Sequence, residues 1–364
     1  MRVLHVIARM NIGGTATYLL NLIDGLENLG ARTKLVVGHV PFNEKEDSRL
    51  RNYEFLRVKE LSREISPLKD FSSLLQIKDI IKKTKPDIIH THTFKAGALV
   101  RTLNSNVPVI HTFHGHHLYD PDYGRIKKNV LNTLERSLAR KTARIVTIGD
   151  KVGRELLEAG IGKAEQYISI PPGVAKPELA SRGDVLQGLN IKDSFNVLWM
   201  GRLTHVKRPD RVIEIAKRFS NFNFIIAGDG ELREKCISSA PPNAYFVGVQ
   251  NANKMWSIAD VVLLTSDSEG MPLTLIEGQM AGVSAVATNV GSVSEVVIDG
   301  ETGLLAKPDL DDLSSQLKAI SSNNLRRLSM SMGAQKRARE YFSIESMAMA
   351  HSDLYQSLLK EKSA

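Results

Sequence analysis

The run Val3-Leu4-His5-Val6-Ile7, followed by Asn11-Ile12-Gly13-Gly14 and then by Leu19, Leu22, Ile23, Leu26 and Leu29 before Gly30, decides the fold class. Five residues rich in aliphatic side chains read as a buried strand. The apolar positions after Gly14 recur three and four apart, so they share one stripe of a helix, and Gly30 suits a left-handed stop. Glycines between strand and helix let backbone N–H groups approach an anion at the helix's positive end. They also serve purely steric needs, and the dinucleotide fingerprint of spaced glycines with a later ribose-binding acid is absent.

This strand–helix unit recurs along the chain. Strand patterns continue at Thr33–Val37, Asp87–His90, Val109–Thr112 and Arg144–Ile148. The stretch Ile168–Pro177, with Pro171, Pro172, Gly173 and Pro177, reads as a linker, after which strands resume at Asn196–Trp199, Asn223–Ala227, Tyr245–Val247, Val261–Leu264 and Ser284–Ala287. Strands alternating with helical periodicity make an α/β protein with helix-covered parallel sheets. At 364 residues the chain exceeds what one core serves, so two doubly wound, Rossmann-like domains are expected. Their expected extents are residues 1–172 and 173–341.

Composition narrows the function classes. No apolar run reaches the eighteen or so residues of a membrane span, and Arg9 interrupts any signal-peptide pattern. One cysteine, Cys236, excludes an intramolecular disulfide and fits a reducing compartment, so a cytoplasmic location is expected. The net charge of +8 is uneven: residues 1–176 carry +10 and the remainder −2. An anionic surface, substrate or lipid would be drawn to the first half. No nucleic-acid partner is expected, because that half has neither a recognised motif nor a clustered aromatic platform.

Four stretches carry candidate chemistry. In Ser268-Glu269-Gly270-Met271-Pro272-Leu273-Thr274-Leu275-Ile276-Glu277, Pro272 suits the first turn of a helix, with Glu269 in the loop before it and Glu277 on it. Eight residues of helix span roughly 12 Å, about the reach of a diphosphate with a sugar at either end. Gly201-Arg202-Leu203-Thr204-His205-Val206-Lys207 follows a strand, where open parallel sheets bind ligands, and offers a planar fork and a point charge for phosphate oxygens. His111, His114, His116 and His117 crowd another strand end without carboxylate or cysteine at metal spacing, so one histidine donating to a hydroxyl or phosphate is the simpler reading and no metal is expected. Asp120-Pro121-Asp122 reads as a turn rather than a metal motif. His90 and His92 read as structural or acceptor-side. In Arg125–Lys141, the residues Ile126, Val130, Leu131, Leu134 and Leu138 form an apolar face for the core, and Lys127, Lys128, Arg136, Arg140 and Lys141 a basic face that suits an anionic membrane.

Taken in order, these residues resemble the group 1, or family four, retaining glycosyltransferases, with the subgroup found among bacterial surface-polysaccharide enzymes. The resemblance runs from Gly13-Gly14 through Thr112-x-His114-Gly115, Gly201-Arg202-Leu203 with Lys207, Gly228-Asp229-Gly230, Phe246-Val247-Gly248, Glu269-Gly270-x-Pro272 with Glu277, Glu295 and Thr302-Gly303-Leu304. It implies a GT-B fold, two Rossmann-like domains facing across a cleft, with a last helix (about 342–364) returning to the first domain. It further implies a nucleotide-sugar donor, UDP-linked by preference, and a glycan or polyprenyl-linked acceptor, with no cofactor. Arg202 and Lys207 would hold the diphosphate and Glu277 the ribose. Glu269 would hold the donated sugar, and Val249 would lie near the base. Backbone N–H groups of Gly270, Met271, Pro272's neighbours and Leu273 would place sugar and phosphate. His114 would reach the sugar, and Gly13 and Gly14 would close over the diphosphate. Gly278, Ser284 and Ser292 depart from the family's more usual Ala, Pro and Gly. A nucleotide-sugar 2-epimerase of related fold, or a non-catalytic nucleotide-sugar-binding protein, are the alternatives.

Overall fold

The computed structural model describes every residue except 43, 63, 65, 104, 116–123 and 364. The chain forms two units, one of Met1–Gly173 with Ile344–Ala364 and one of Val174–Ser343. The first holds a seven-stranded sheet: β1 Arg2–Ile7, β2 Arg32–Val37, β3 Phe55–Arg57, β4 Ile88–His92, β5 Val109–Phe113, β6 Arg144–Thr147 and β7 Tyr167–Ser169. All neighbours are parallel, in the order β3-β2-β1-β4-β5-β6-β7. The second holds β8 Phe195–Met200, β9 Phe222–Ala227, β10 Ala244–Gly248, β11 Val261–Leu264, β12 Ala285–Thr288 and β13 Gly303–Ala306, parallel in the order β10-β9-β8-β11-β12-β13.

Burial on both faces explains the near-continuous Val/Ile/Leu runs of the central strands. Val3, Leu4, Val6 and Ile7 are sealed in the first unit, and Val261, Val262, Leu263, Val286 and Ala287 in the second. Three strands that the sequence reading lacks, β3, β7 and β13, are all sheet edges of three or four residues. β7 also corrects the linker reading, because Tyr167–Ser169 is paired to β6.

The first helix, Gly14–Asn28, buries Leu19, Leu22, Ile23 and Leu26 and ends before Gly30, whose φ is 82°. Leu29, read as part of that stripe, is exposed because it lies past the last helical turn. The last helix, Ile344–Ser363, packs on the first. Gly25 permits that approach: a Cβ there would lie 2.6 Å from Ala348 Cβ. Phe342 belongs instead to the second unit, where its carbonyl accepts from the Val174 N–H at 2.8 Å.

The helix Arg125–Ala139 corrects one expectation. Leu131 and Leu138 are buried, but Ile126, Val130 and Leu134 are 82%, 61% and 39% exposed. The reason is Glu135, fully buried on the packed seam to meet Arg101 at 2.8 and 2.9 Å through both guanidinium nitrogens. Turning Glu135 inward leaves the 126/130/134 ridge, spaced four apart, facing out.

Candidate functional site

In the second unit the strand order reverses at β8 and β11, and in such sheets the crevice beyond the strands' carboxyl ends is where ligands bind. Arg202 and Lys207 follow β8, and Glu269 follows β11. Glycines lock the loops together: a Cβ on Gly228 would sit 1.8 Å from the Gly201 carbonyl oxygen, and one on Gly291 only 1.6 Å from that of Glu269. Gly201 and Leu203 donate backbone bonds to Ala227 and Asp229 at 3.0 and 2.9 Å. Thr265 Oγ1, at the end of β11, lies 3.0 Å from the carbonyls of both Lys207 and Arg208, fastening the β8 loop to β11.

The structure brings Lys207 and Glu269 into direct contact. Lys207 Nζ donates to both carboxylate oxygens at 2.7 and 2.8 Å, and Ser266 Oγ donates to one of them at 2.6 Å. Glu269's side chain is only 7% exposed. A carboxylate so engaged is an anchor of fixed orientation. Ser266 was missed in the sequence; its signal is a hydroxyl three residues before the acid, at the end of the β11 run. Arg202 is exposed, and its guanidinium has no partner among the described residues.

The helix Leu273–Met280 begins just after Pro272, which occupies the capping position rather than the first turn. The N–H groups of Leu275 and Ile276 return to the Pro272 carbonyl at 3.1 and 3.4 Å. Those of Leu273 and Thr274 have no acceptor within the helix, as at any helix start. With no acidic residue in that first turn, this end can receive an anion. Gly270 is held by the Ser292 N–H, which donates to its carbonyl at 3.1 Å, and Met271 is buried. Glu277 lies half-buried one turn into the helix, and Val249 is exposed just after β10. Of the departures, Gly278 leaves room for Trp256, which a Cβ would meet at 3.2 Å, while the hydroxyls of Ser284 and Ser292 are buried without partners among the described residues.

The first unit builds a different interior. β1 and β4 flank its own reversal point, and their register sets His5 beside His90 and Ile7 beside His92. His114, just past β5, has Nε2 3.2 Å from His92 Nδ1, and His92 Nε2 is 3.2 Å from His5 Nδ1. Tyr18 of the first helix stands edge-on to His114 at 4.7 Å. His90 lies 2.6 Å from both Tyr355 Oη and Thr112 Oγ1. His351 Nδ1 donates to the Met347 carbonyl at 2.9 Å, so its Nε2 accepts from Tyr18 Oη at 3.1 Å. Burial holds the imidazoles neutral: His5 and His114 are pushed down to about 3, and His92 and His90 well below 6.5.

His90 and His92, read as structural or acceptor-side, are both sealed in this cluster. His5, Tyr18, His351 and Tyr355 were not singled out, because nothing local marks residues whose partners lie up to 333 positions away. Among the described residues, His5, His90 and His92 alone lie close enough together to share a metal, but both nitrogens of His90 are already engaged. Gly13 caps the first helix without a side-chain bond, and nothing lies within 4 Å of where its Cβ would be, so backbone at Gly13 and Gly14 is approachable. His116, His117 and Asp120–Asp122 lie outside the described residues.

Comparison with known proteins agrees with both sheets. Residues 12–175 match the model of Glycosyltransferase Family 4, and residues 184–339 that of Glycosyl transferases group 1. The chain is 29% identical over 329 residues to the UDP-Gal:alpha-D-GlcNAc-diphosphoundecaprenol alpha-1,3-galactosyltransferase of Escherichia coli, covering 84% of each. It is 27% identical to the O-antigen biosynthesis glycosyltransferase WbnH of Escherichia coli, over 78% of this chain and 81% of that one. Among solved structures, sucrose-phosphate synthase of Thermosynechococcus elongatus superposes with a TM-score of 0.84 at 20% identity, over 99% of this chain and 100% of that one. Anabaena Alr3699/HepE with UDP-glucose gives 0.82 at 17%, over 98% and 100%. With two parallel Rossmann-like sheets, and family models matched over residues 12–175 and 184–339, the chain belongs to the group 1, or family four, glycosyltransferases and has the GT-B fold.

Proposed function

We propose that the protein is a retaining, metal-independent glycosyltransferase that moves a sugar from a UDP-sugar to a glycan or polyprenyl-linked acceptor in surface-polysaccharide assembly. The Lys207–Glu269–Ser266 contact at the reversal point of the second sheet, with Arg202 exposed on the same loop as Lys207, carries the reading. The relatives named for GlcNAc-diphosphoundecaprenol and for O-antigen biosynthesis support the acceptor class, and the neighbour holding UDP-glucose supports the donor.

When the sugar–phosphate bond breaks, negative charge grows on the nucleoside diphosphate. In this reading Arg202, Lys207 and the N–H groups of Leu273 and Thr274 meet it. Glu269 is bonded by Lys207 and Ser266, which suits gripping sugar hydroxyls rather than attacking carbon as a nucleophile. Substitution from the front face follows, with a leaving phosphate oxygen taking the acceptor hydroxyl's proton. Glu277 holds the ribose and Val249 lies by the base. His114, with Gly13 and Gly14, supplies the first unit's contacts to substrate oxygens. The ridge Ile126/Val130/Leu134 beside Lys127 and Lys128 supports peripheral contact with an anionic membrane at the cell's inner face. No helix among the described residues is long and apolar enough to cross a membrane.

The test is a panel of nucleotide-sugars and acceptors with Glu269→Ala, Arg202→Ala and Lys207→Ala. Glu269→Ala abolishes product, and the other two raise KM for the donor. Undiminished transfer by all three overturns the site, and conversion of the donor's sugar without acceptor points to an epimerase.

A further inference from the structure

The first unit's buried histidines include a chain whose polarity decides what His114 can offer a ligand. We propose that His92 and His5 are positioning residues that fix His114 as the neutral tautomer with its proton on Nδ1, a hydrogen-bond donor to a substrate oxygen. The inference rests on the reading of His114 as a substrate contact and adds which proton it carries and what sets it.

The chain has three members and two links, His114 Nε2 to His92 Nδ1 and His92 Nε2 to His5 Nδ1, each 3.2 Å. A neutral imidazole carries one N–H and one lone pair, so the links must point the same way. Either every proton sits on Nδ1, and each ring donates toward His114, or every proton sits on Nε2, and each donates toward His5. The closed end decides between them. His5 Nε2 is buried and has no partner among the described residues. With protons on Nε2, that atom would be a sealed N–H with nothing to accept it. With protons on Nδ1, it is only a lone pair left unmet. Orphaned buried donors are the rarer and costlier defect. The chain therefore runs from His5 through His92 to His114, whose Nε2 accepts and whose Nδ1 keeps the proton.

The neighbouring rings leave no competing donor for His114. Tyr18, edge-on to it, spends its hydroxyl proton on His351 Nε2, because the Met347 carbonyl requires the N–H of His351 Nδ1. His90 is committed to Tyr355 and Thr112. His111 points to the other side of the sheet, with Nδ1 2.8 Å from Thr91, whose hydroxyl is donated to the Ile110 carbonyl. His114 Nδ1 has no partner among the described residues and is not among the sealed, unmet atoms, so it is the chain's open end. An Nδ1–H there recognises an oxygen lone pair, as on a sugar hydroxyl or a phosphate, without adding a charge.

The test reads the tautomers directly. The full chain, labelled with ¹⁵N in its histidines, is recorded at pH 7.5 by long-range ¹H–¹⁵N correlation, with His114 assigned through His114→Gln. The expected spectrum shows His114 protonated on Nδ1 and bare on Nε2. A proton on His114 Nε2 overturns the proposal, whatever the activity. His92→Asn keeps a donor near the Nδ1 position and should hold His114 in the same tautomer. His92→Phe should release it to a mixture and lower kcat/KM about ten-fold, the loss of one neutral hydrogen bond. Equal activity and unchanged His114 signals in both variants would also overturn it. If the Nδ1 tautomer is seen but His114→Ala transfers sugar normally, the tautomer assignment stands and the substrate role of His114 falls.

Discussion

Both units place polar residues at the point where strand order reverses, yet they treat them in opposite ways. The second unit holds full charges at the rim, with Lys207 on Glu269 and Arg202 exposed on the same loop as Lys207, and ties the loops by glycine contacts and backbone bonds. The first seals neutral imidazoles and hydroxyls inside, between the sheet and its first and last helices. The rim can meet an anion because its cations, Arg202 fully and Lys207 in part, remain reachable. The interior can only orient, because burial forbids its groups to ionise.

The largest effect is expected at the ion pair of Arg101 and Glu135, whose side chains are both fully buried in the first unit. Glu135→Ala strands Arg101 and should cost about 3–5 kcal/mol, whereas Arg101→Met with Glu135→Leu should recover most of it. Urea denaturation of the three chains checks this. A loss below 1 kcal/mol in the single variant would mean that the pair is not sealed as described.

At the second unit's rim, Gly291 has a φ of 55° and presses on the backbone of Glu269. Gly291→Ala must push that loop by an ångström or more, and sugar transfer should fall about a hundred-fold. Steady-state kinetics beside a melting curve separates this from unfolding. Retained kcat/KM would show that Glu269's placement is not critical.

Acid should separate the units. Burial holds His5 and His114 to about 3, His351 to about 4, and His90, His92 and His111 well below 6.5. Between those values and about 6.5 the unfolded chain binds protons that the folded one refuses, so stability is full above about 6.5 and falls as pH drops, by up to roughly 1.4 kcal/mol per pH unit for each group. Hydrogen exchange at pH 7.5 and 5.0, corrected for intrinsic rates, should show protection lost from β1, β4 and β5 before β8 and β11. The reverse order would contradict the neutral interior. The smallest effect belongs to the exposed ridge. Lys127→Glu with Lys128→Glu should weaken flotation with anionic vesicles by about 1 kcal/mol per charge replaced and leave the melting temperature unchanged.

The fold class is legible because strands buried on both faces leave uninterrupted apolar runs, and nine central strands and the edge β10 show in the sequence. β3 and β7 are three residues long and incompletely buried, and β13 is four residues beginning on Gly303, so none leaves such a run. Arg202, Lys207 and Glu269 were visible as charges just beyond strand ends. That Lys207 grips Glu269 was not, since the contact spans 62 residues and depends on how two loops interlock. The helix Arg125–Ala139 misled for a related reason: a buried Glu135 looks like a surface residue until Arg101 is placed opposite it.

The central claim is that the second unit's strand-end loops bind a nucleoside diphosphate through Arg202 and Lys207. Thermal melting with UDP and UDP-sugars tests it most directly, since a ligand that binds only the folded state raises the melting temperature. A concentration-dependent rise is expected in the parent chain and is lost in the Arg202→Ala, Lys207→Ala chain. No rise with any nucleoside diphosphate, or an equal rise in the double variant, would contradict it.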